Sequence, residues 1–129
     1  MTDTPQQVLE RLFMALDRND PEAILLEMGP DVAMVDEISR RWRRGIEAVA
    51  TQLRAVVPVT TGLSSTVKDL HTRPLGPEAV LVSAWLDQSY TLDGQTQMIS
   101  APLSACLEAR DGRWLVVSLH AIPLPEAQP

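Results

Sequence analysis

One cysteine, Cys106, is all the thiol chemistry in this 129-residue chain. It allows no intrachain disulfide and no cysteine-based zinc site. A reducing cytoplasm is the expected compartment. Histidine is nearly as scarce: His71 and His120 stand far apart, and no carboxylates cluster around them at ligand spacing. No metal site is expected from that pattern. Long apolar runs are missing, and no basic–apolar signal segment opens the sequence, so no membrane partner is expected. Positive charge is in deficit, with 11 Lys and Arg against 17 Asp and Glu and a formal net charge of −6. A surface of that sign repels nucleic acid as well as anionic lipid. Internal repeats and low-complexity tracts are absent too.

The composition, 45% hydrophobic and 22% charged, is that of a globular protein. The length fits a single domain over 1–129, large enough to bury a core without disulfide or metal. Only the end, 123–129, reads as a flexible tail.

Helices are signalled first. Thr4-Pro5-Gln6-Gln7 is a capping box with proline at the first helical position. Val8, Leu9, Leu12, Phe13 and Leu16 then make one apolar face. Asp20-Pro21 starts a second, shorter helix, with Ile24, Leu25 and Met28 as its buried stripe. Gly29-Pro30 is expected to end it, Gly29 as a left-handed cap. Residues 31–36 form a short strand, and 37–44 a surface loop. Gly45 opens the third helix, whose stripe is Ile46, Val49, Leu53 and Val56 and which stops before Pro58.

The remaining pattern is of strands: 64–73, 79–92, 96–109 and 114–122. Asp93-Gly94 and Asp111-Gly112 are strong two-residue hairpin signals, so the last three strands form an antiparallel meander. Pro102, inside a strand, removes a ladder donor and predicts an edge, a bulge or a bend there. The predicted order is α-α-β-α-β-β-β-β. Long strands in a small domain must twist and bend. The expected fold is therefore α+β: a cone-shaped curved antiparallel sheet packed against three helices, with a pocket inside.

The element order carries a family resemblance, as do Asp20-Pro21-Glu22-Ala23-Ile24, Asp31-Val32-Ala33-Met34-Val35-Asp36 and Arg44-Gly45-Ile46-Glu47-Ala48-Val49. Over nearly its whole length the chain resembles the nuclear transport factor 2-like superfamily. The terminal Asp111-Gly112-Arg113-Trp114-Leu115-Val116-Val117 and Ser118-Leu119-His120 resemble its SnoaL-like branch. The resemblance implies a cystatin-like roll with a pocket, often dimerised through the outer sheet face. Family members include ketosteroid isomerases, polyketide cyclases, dehydratases, epoxide hydrolases and non-catalytic binders, so fold alone does not fix function.

By the same resemblance Asp36, at the end of the first strand, matches the general base of ketosteroid isomerases. The plainer reading is a polar strand end. The hydrogen-bond donors of that chemistry fall on Leu12, which cannot donate, and Ser104, a far weaker acid. Losing such a donor typically costs about 10²–10³-fold in rate, which argues against steroid isomerisation. His120, near the end of the last strand, is a candidate acid or base opposite Asp36, or else an ordinary sheet histidine. His71, with Asp69 and Arg73, reads as a polar stripe.

Leu12, Leu16, Met34, Trp85, Tyr90, Ser104 and Cys106 are the expected pocket lining. Trp85 and Tyr90 lie on opposite faces of one strand, so one of the two belongs outside, and core packing explains either. Aligning Ser104 inward turns Ile99, Ala101, Leu103, Ala105 and Leu107 outward as an apolar stripe, which predicts a homodimer. In the opposite orientation that set is simply core. Arg40-Arg41-Trp42-Arg43-Arg44 reads as a solvated loop or as a cationic pocket rim that steers an acidic ligand. Two functions follow. One is acid–base catalysis without a cofactor on a small apolar carbonyl, epoxide or polyketide-like substrate, with Asp36 as base. The other is a dimeric binding module for a small hydrophobic ligand or a protein.

Overall fold

The computed structural model describes residues 3–35 and 40–121. Three helices and six strands follow in the order α1 (Pro5–Asp17), α2 (Pro21–Leu25), β1 (Met28–Val35), β2 (Trp42–Arg44), α3 (Ile46–Val56), β3 (Thr61–Pro74), β4 (Ala79–Leu92), β5 (Gln95–Arg110) and β6 (Arg113–Ala121). A 3-10 turn, Val57–Val59, joins α3 to β3. The strands make one curved sheet in the order β2-β1-β6-β5-β4-β3, antiparallel throughout except that β1 runs parallel to β6. This is the α+β architecture the sequence predicts. Among the described residues no helix is long and apolar enough to cross a membrane.

Local chemistry explains most element ends. The Gln7 backbone N–H donates to Thr4 Oγ1 at 3.2 Å, and the Thr4 N–H donates back to Gln7 Oε1 at 2.9 Å, closing the capping box of α1. Asp20 caps α2 by accepting from the Ala23 N–H at 3.1 Å. Asn19 sits between the two helices with φ 58°, and its amide donates to the Val57 and Thr60 carbonyls at 2.8 and 2.6 Å. That pins the α1–α2 corner to the end of α3. Both Asp-Gly pairs have positive φ at both positions and close two-residue hairpins, with Leu92 opposite Gln95 and Arg110 opposite Arg113.

Two expectations near the first strand are corrected. α2 ends at Leu25, and Met28, Gly29 and Pro30 belong to β1, not to the helix. Gly29 is no left-handed cap. A Cβ there would stand 3.1 Å from the Arg110 guanidinium and 3.3 Å from Val117, so glycine permits close passage of neighbouring side chains. The stretch expected as a loop also contains β2, whose three residues pair with β1 at the sheet edge. Pro102 lies opposite Trp85, one residue beyond the described pairing of β5 with β6, which begins at Leu103–Ala121. Its missing N–H therefore falls where β5 has no described partner on that side. β3 is the other edge, and it bulges between Lys68 and His71, where Asp69 takes φ 52°.

The core is the space between helices and sheet. Val8, Leu9, Leu12, Phe13 and Ala15 of α1, Ile24 of α2, and Val49 and Leu53 of α3 face Val32 and Met34 of β1. They also face Val80, Val82 and Leu86 of β4, Leu103, Ala105 and Leu107 of β5, and Val116 and Leu119 of β6. The set expected outside on β5 is thus inside, with Ala101, Leu103, Ala105 and Leu107 buried and Ile99 half-buried. The argument for a dimer that rested on that stripe falls with it. Parity decides the matter, since Leu103 and Leu107 are large and apolar and the helices cover only one face.

Candidate functional site

A cavity of about 120 Å³ opens within this core. α1 contributes Leu12, Phe13 and Leu16, α3 contributes Gln52, Leu53 and Val56, and the sheet contributes Met34, Val35, Leu86, Gln88, Tyr90, Leu119 and Ala121. The sites follow from alternation. Leu86, Gln88 and Tyr90 are successive inward positions of β4, and Leu119 and Ala121 are successive inward positions of β6.

Its lining is largely hydrocarbon. The polar exceptions are Gln52, Thr60, Gln88 and Tyr90. Gln88 is held in place. Its amide donates to Ser65 Oγ at 3.0 Å, and Ser65 donates to the Asp17 carboxylate from Oγ at 2.7 Å and from its backbone N–H at 3.0 Å. This chain ties the C-terminal turn of α1 to β3 and β4. Thr60 is satisfied locally, donating from Oγ1 to the Val56 carbonyl at 2.8 Å. Tyr90 is buried at 7% exposure. It is the only ionisable side chain among the described lining residues.

Leu12, Leu16, Met34 and Tyr90 are placed in the cavity wall. Trp85, Ser104 and Cys106 are not. Each occupies the opposite parity of its strand and stands on the outer face, with Ser104 exposed. His120 is there too. Its neighbours Leu119 and Ala121 line the cavity while His120 pairs with Ser104 and is exposed. It therefore points away from the cavity. Asp36 lies outside the described residues. The strand that leads to it reaches the cavity wall at Val35.

The outer face has its own polar network. The Trp85 indole N–H donates to Ser100 Oγ, which donates to Asp87 Oδ1 at 2.6 Å. Lys68 Nζ is 2.6 Å from Asp87 Oδ2, and with Ser100 it holds the Asp87 carboxyl below its ordinary pKa. At the β2 edge the rings of Trp42 and His120 lie 6.1 Å apart, with the Arg44 guanidinium 5.3 Å above Trp42. Trp42 is thus a strand residue of this face, not part of a loop. Partial burial, and then Glu108, push the Cys106 thiol up, so it is not an activated nucleophile.

Gln88, Thr60 and Gln52 did not emerge from the sequence. For Gln88 a signal existed: it is two residues from Tyr90 on the same strand, and so on the same face.

A family model described as a SnoaL-like domain matches residues 6–123. Among solved structures, a proposed dehydratase of the NTF2-like family from Streptomyces avermitilis superposes with a TM-score of 0.83 at 15% identity, covering 94% of each chain. A ketosteroid isomerase-like protein from Erwinia carotovora atroseptica gives 0.79 at 13% identity, again covering 94% of each. A protein with a cystatin-like fold from Caulobacter vibrioides gives 0.75 at 22% identity, covering 96% of this chain and 89% of its own. No curated protein matches the chain.

Proposed function

Because the chain belongs to the SnoaL-like domain family, we propose that it binds a small, largely apolar molecule in the cavity between the helices and the sheet. The observation that carries this reading is the lining: a cavity of about 120 Å³ walled by aliphatic and aromatic side chains, with a few fixed polar groups. Sites of that composition bind by excluding water from an apolar body and orient it through a few polar contacts. An apolar cavity of about 150 Å³ suffices for benzene. The body of the ligand is therefore one small aromatic system or a short branched chain, not a steroid-sized polycycle. Gln88 and Tyr90 are the groups that would meet a carbonyl or epoxide oxygen.

Calorimetric titration with indole, a neutral molecule of this size, tests the reading. Saturable one-to-one binding with a negative heat-capacity change is expected. Absence of saturable binding contradicts it.

A second reading makes the cavity catalytic, with Asp36 as general base and no cofactor. It rests on the resemblance to ketosteroid isomerases and on Val35, the residue before Asp36, which lines the cavity. His120 drops out of this reading because it points to the other face. Asp36→Asn should then abolish turnover of a small ketone or epoxide while leaving indole binding intact. Unchanged turnover in that variant removes the catalytic reading and leaves the binding one standing.

A further inference from the structure

Four of the chain's 11 basic residues fall in Arg40-Arg41-Trp42-Arg43-Arg44. β2 sorts the last three by face. Trp42 and Arg44 share the outer face, where the Arg44 guanidinium lies over the Trp42 ring. Arg43, between them in a strand, projects the other way. Its register partner is Met34, and the partner of Met34 is Leu119. Arg43, Met34 and Leu119 thus form one row across three strands on the helix-covered face, and the latter two line the cavity. Cross-strand neighbours stand about 4.5–5.5 Å apart at Cβ, well within the length of an arginine side chain.

Arg43 is also unmatched among the described residues. Its Nε is buried and has no hydrogen-bond partner there. None of the ion pairs among the described residues includes it. By contrast, Arg11, Arg54, Arg110 and Arg113 each reach a carboxylate. A guanidinium cannot shed its charge, and a buried donor left unpaired opposes folding. Such a group calls for an explanation, and a ligand that supplies the missing acceptor is one.

We propose that Arg43 is the anion anchor of the cavity, so that the ligand is a small carboxylic acid: one ring or a branched chain beside Met34 and Leu119, with its carboxylate on the Arg43 guanidinium. The inference rests on the binding reading above and narrows its ligand class. Arg43 as a whole is half-buried, and Nε alone of its nitrogens is fully buried without a partner, which leaves the terminal nitrogens for an arriving anion. A small swing of the stem brings Nε into the same two-point fork, the geometry in which arginine and carboxylate pair best. The chain is acidic overall, so this local basic run also sets where an anion is drawn in.

The test is calorimetric titration of the full chain with phenylacetate and with its neutral isostere phenylacetamide. The wild type should bind the acid about tenfold or more tightly than the amide, and added salt should narrow the gap. Arg43→Gln should bind acid and amide alike. Arg43→Lys keeps the charge but lacks the fork. It covers the case of a glutamine variant that does not fold, and its acid preference should fall severalfold. Amide binding without any acid preference in the wild type overturns the anchor and leaves the cavity reading standing. So does a preference that survives both substitutions. No binding of either compound overturns the cavity reading, and the anchor with it.

Discussion

On one face of β4 and β5 stand Val82, Leu86, Gln88, Tyr90, Ala101, Leu103 and Leu107, all buried beneath helices. On the other stand Ser83, Trp85, Asp87, Ser100, Ser104 and Cys106, none of them buried. Residue types usually associated with chemistry (a histidine, a thiol, several hydroxyls, an aspartate) crowd the outer face. The cavity lining on the inner face offers hydrocarbon, two amides, a threonine and a tyrosine. Reactive residue types therefore say little about a site until the parity of their strand is known. One shift of parity moves every side chain of a strand to the other face.

The largest expected effect separates the two faces by stability. Leu103→Ala removes a side chain of 2% exposure and should destabilise the fold by about 2–5 kcal/mol. Ser104→Ala, one residue along, should change it by no more than about 0.5 kcal/mol. Chemical denaturation of the two variants checks this, and equal effects would erase the distinction. Next comes the polar chain that reaches into the cavity. Asp17→Ala strips two hydrogen bonds from Ser65 and should cost about 1.5–3 kcal/mol, since the acceptor is a carboxylate. It should also weaken indole binding, because Gln88 donates to that same Ser65.

Acid sensitivity is the smallest effect and belongs to the exposed surface. Hydrogen bonds from Arg110 hold the Asp31 carboxyl below its ordinary pKa of 3.8, and Lys68 and Ser100 do the same for Asp87. Both carboxyls are more acidic folded than unfolded. Their contribution is complete above about pH 4 and fades as pH falls through the lowered values. Exposure and salt keep it small. Denaturation between pH 5 and pH 2 should show a shallow loss that high salt flattens, and Asp87→Asn should remove part of it.

Much of the fold was legible because its signals are local. A capping box needs two side chains, and an Asp-Gly hairpin needs two residues at positive φ. Both were found where those residues stand. Gly29-Pro30 misled for the same reason: a glycine before a proline has the local look of a helix end. In the fold it is a strand glycine that passes close to Arg110, 81 residues away in sequence but adjacent in space. β2 was missed because three charged or aromatic residues at an edge show too little alternation to count. The site was harder. Leu12, Leu16 and Met34 lie on helix or strand stripes whose direction is unambiguous. Ser104 and Cys106 were placed by anchoring a whole strand on one aligned residue, and the apolar bulk of Leu103 and Leu107 decides that strand the other way. For Trp85 and Tyr90, on opposite faces of β4, the sequence offered no means of choosing which faces inward.

The central claim is that the inner face, not the outer, holds the ligand. Indole titration of Leu16→Trp and Ser104→Trp tests it most directly. Leu16 lines the cavity, and a tryptophan there fills it. Ser104 is exposed on the far side of the sheet. The account predicts that Leu16→Trp loses indole binding by about tenfold or more while Ser104→Trp binds like the wild type. Full binding in Leu16→Trp, or loss of binding in a folded Ser104→Trp, would contradict it.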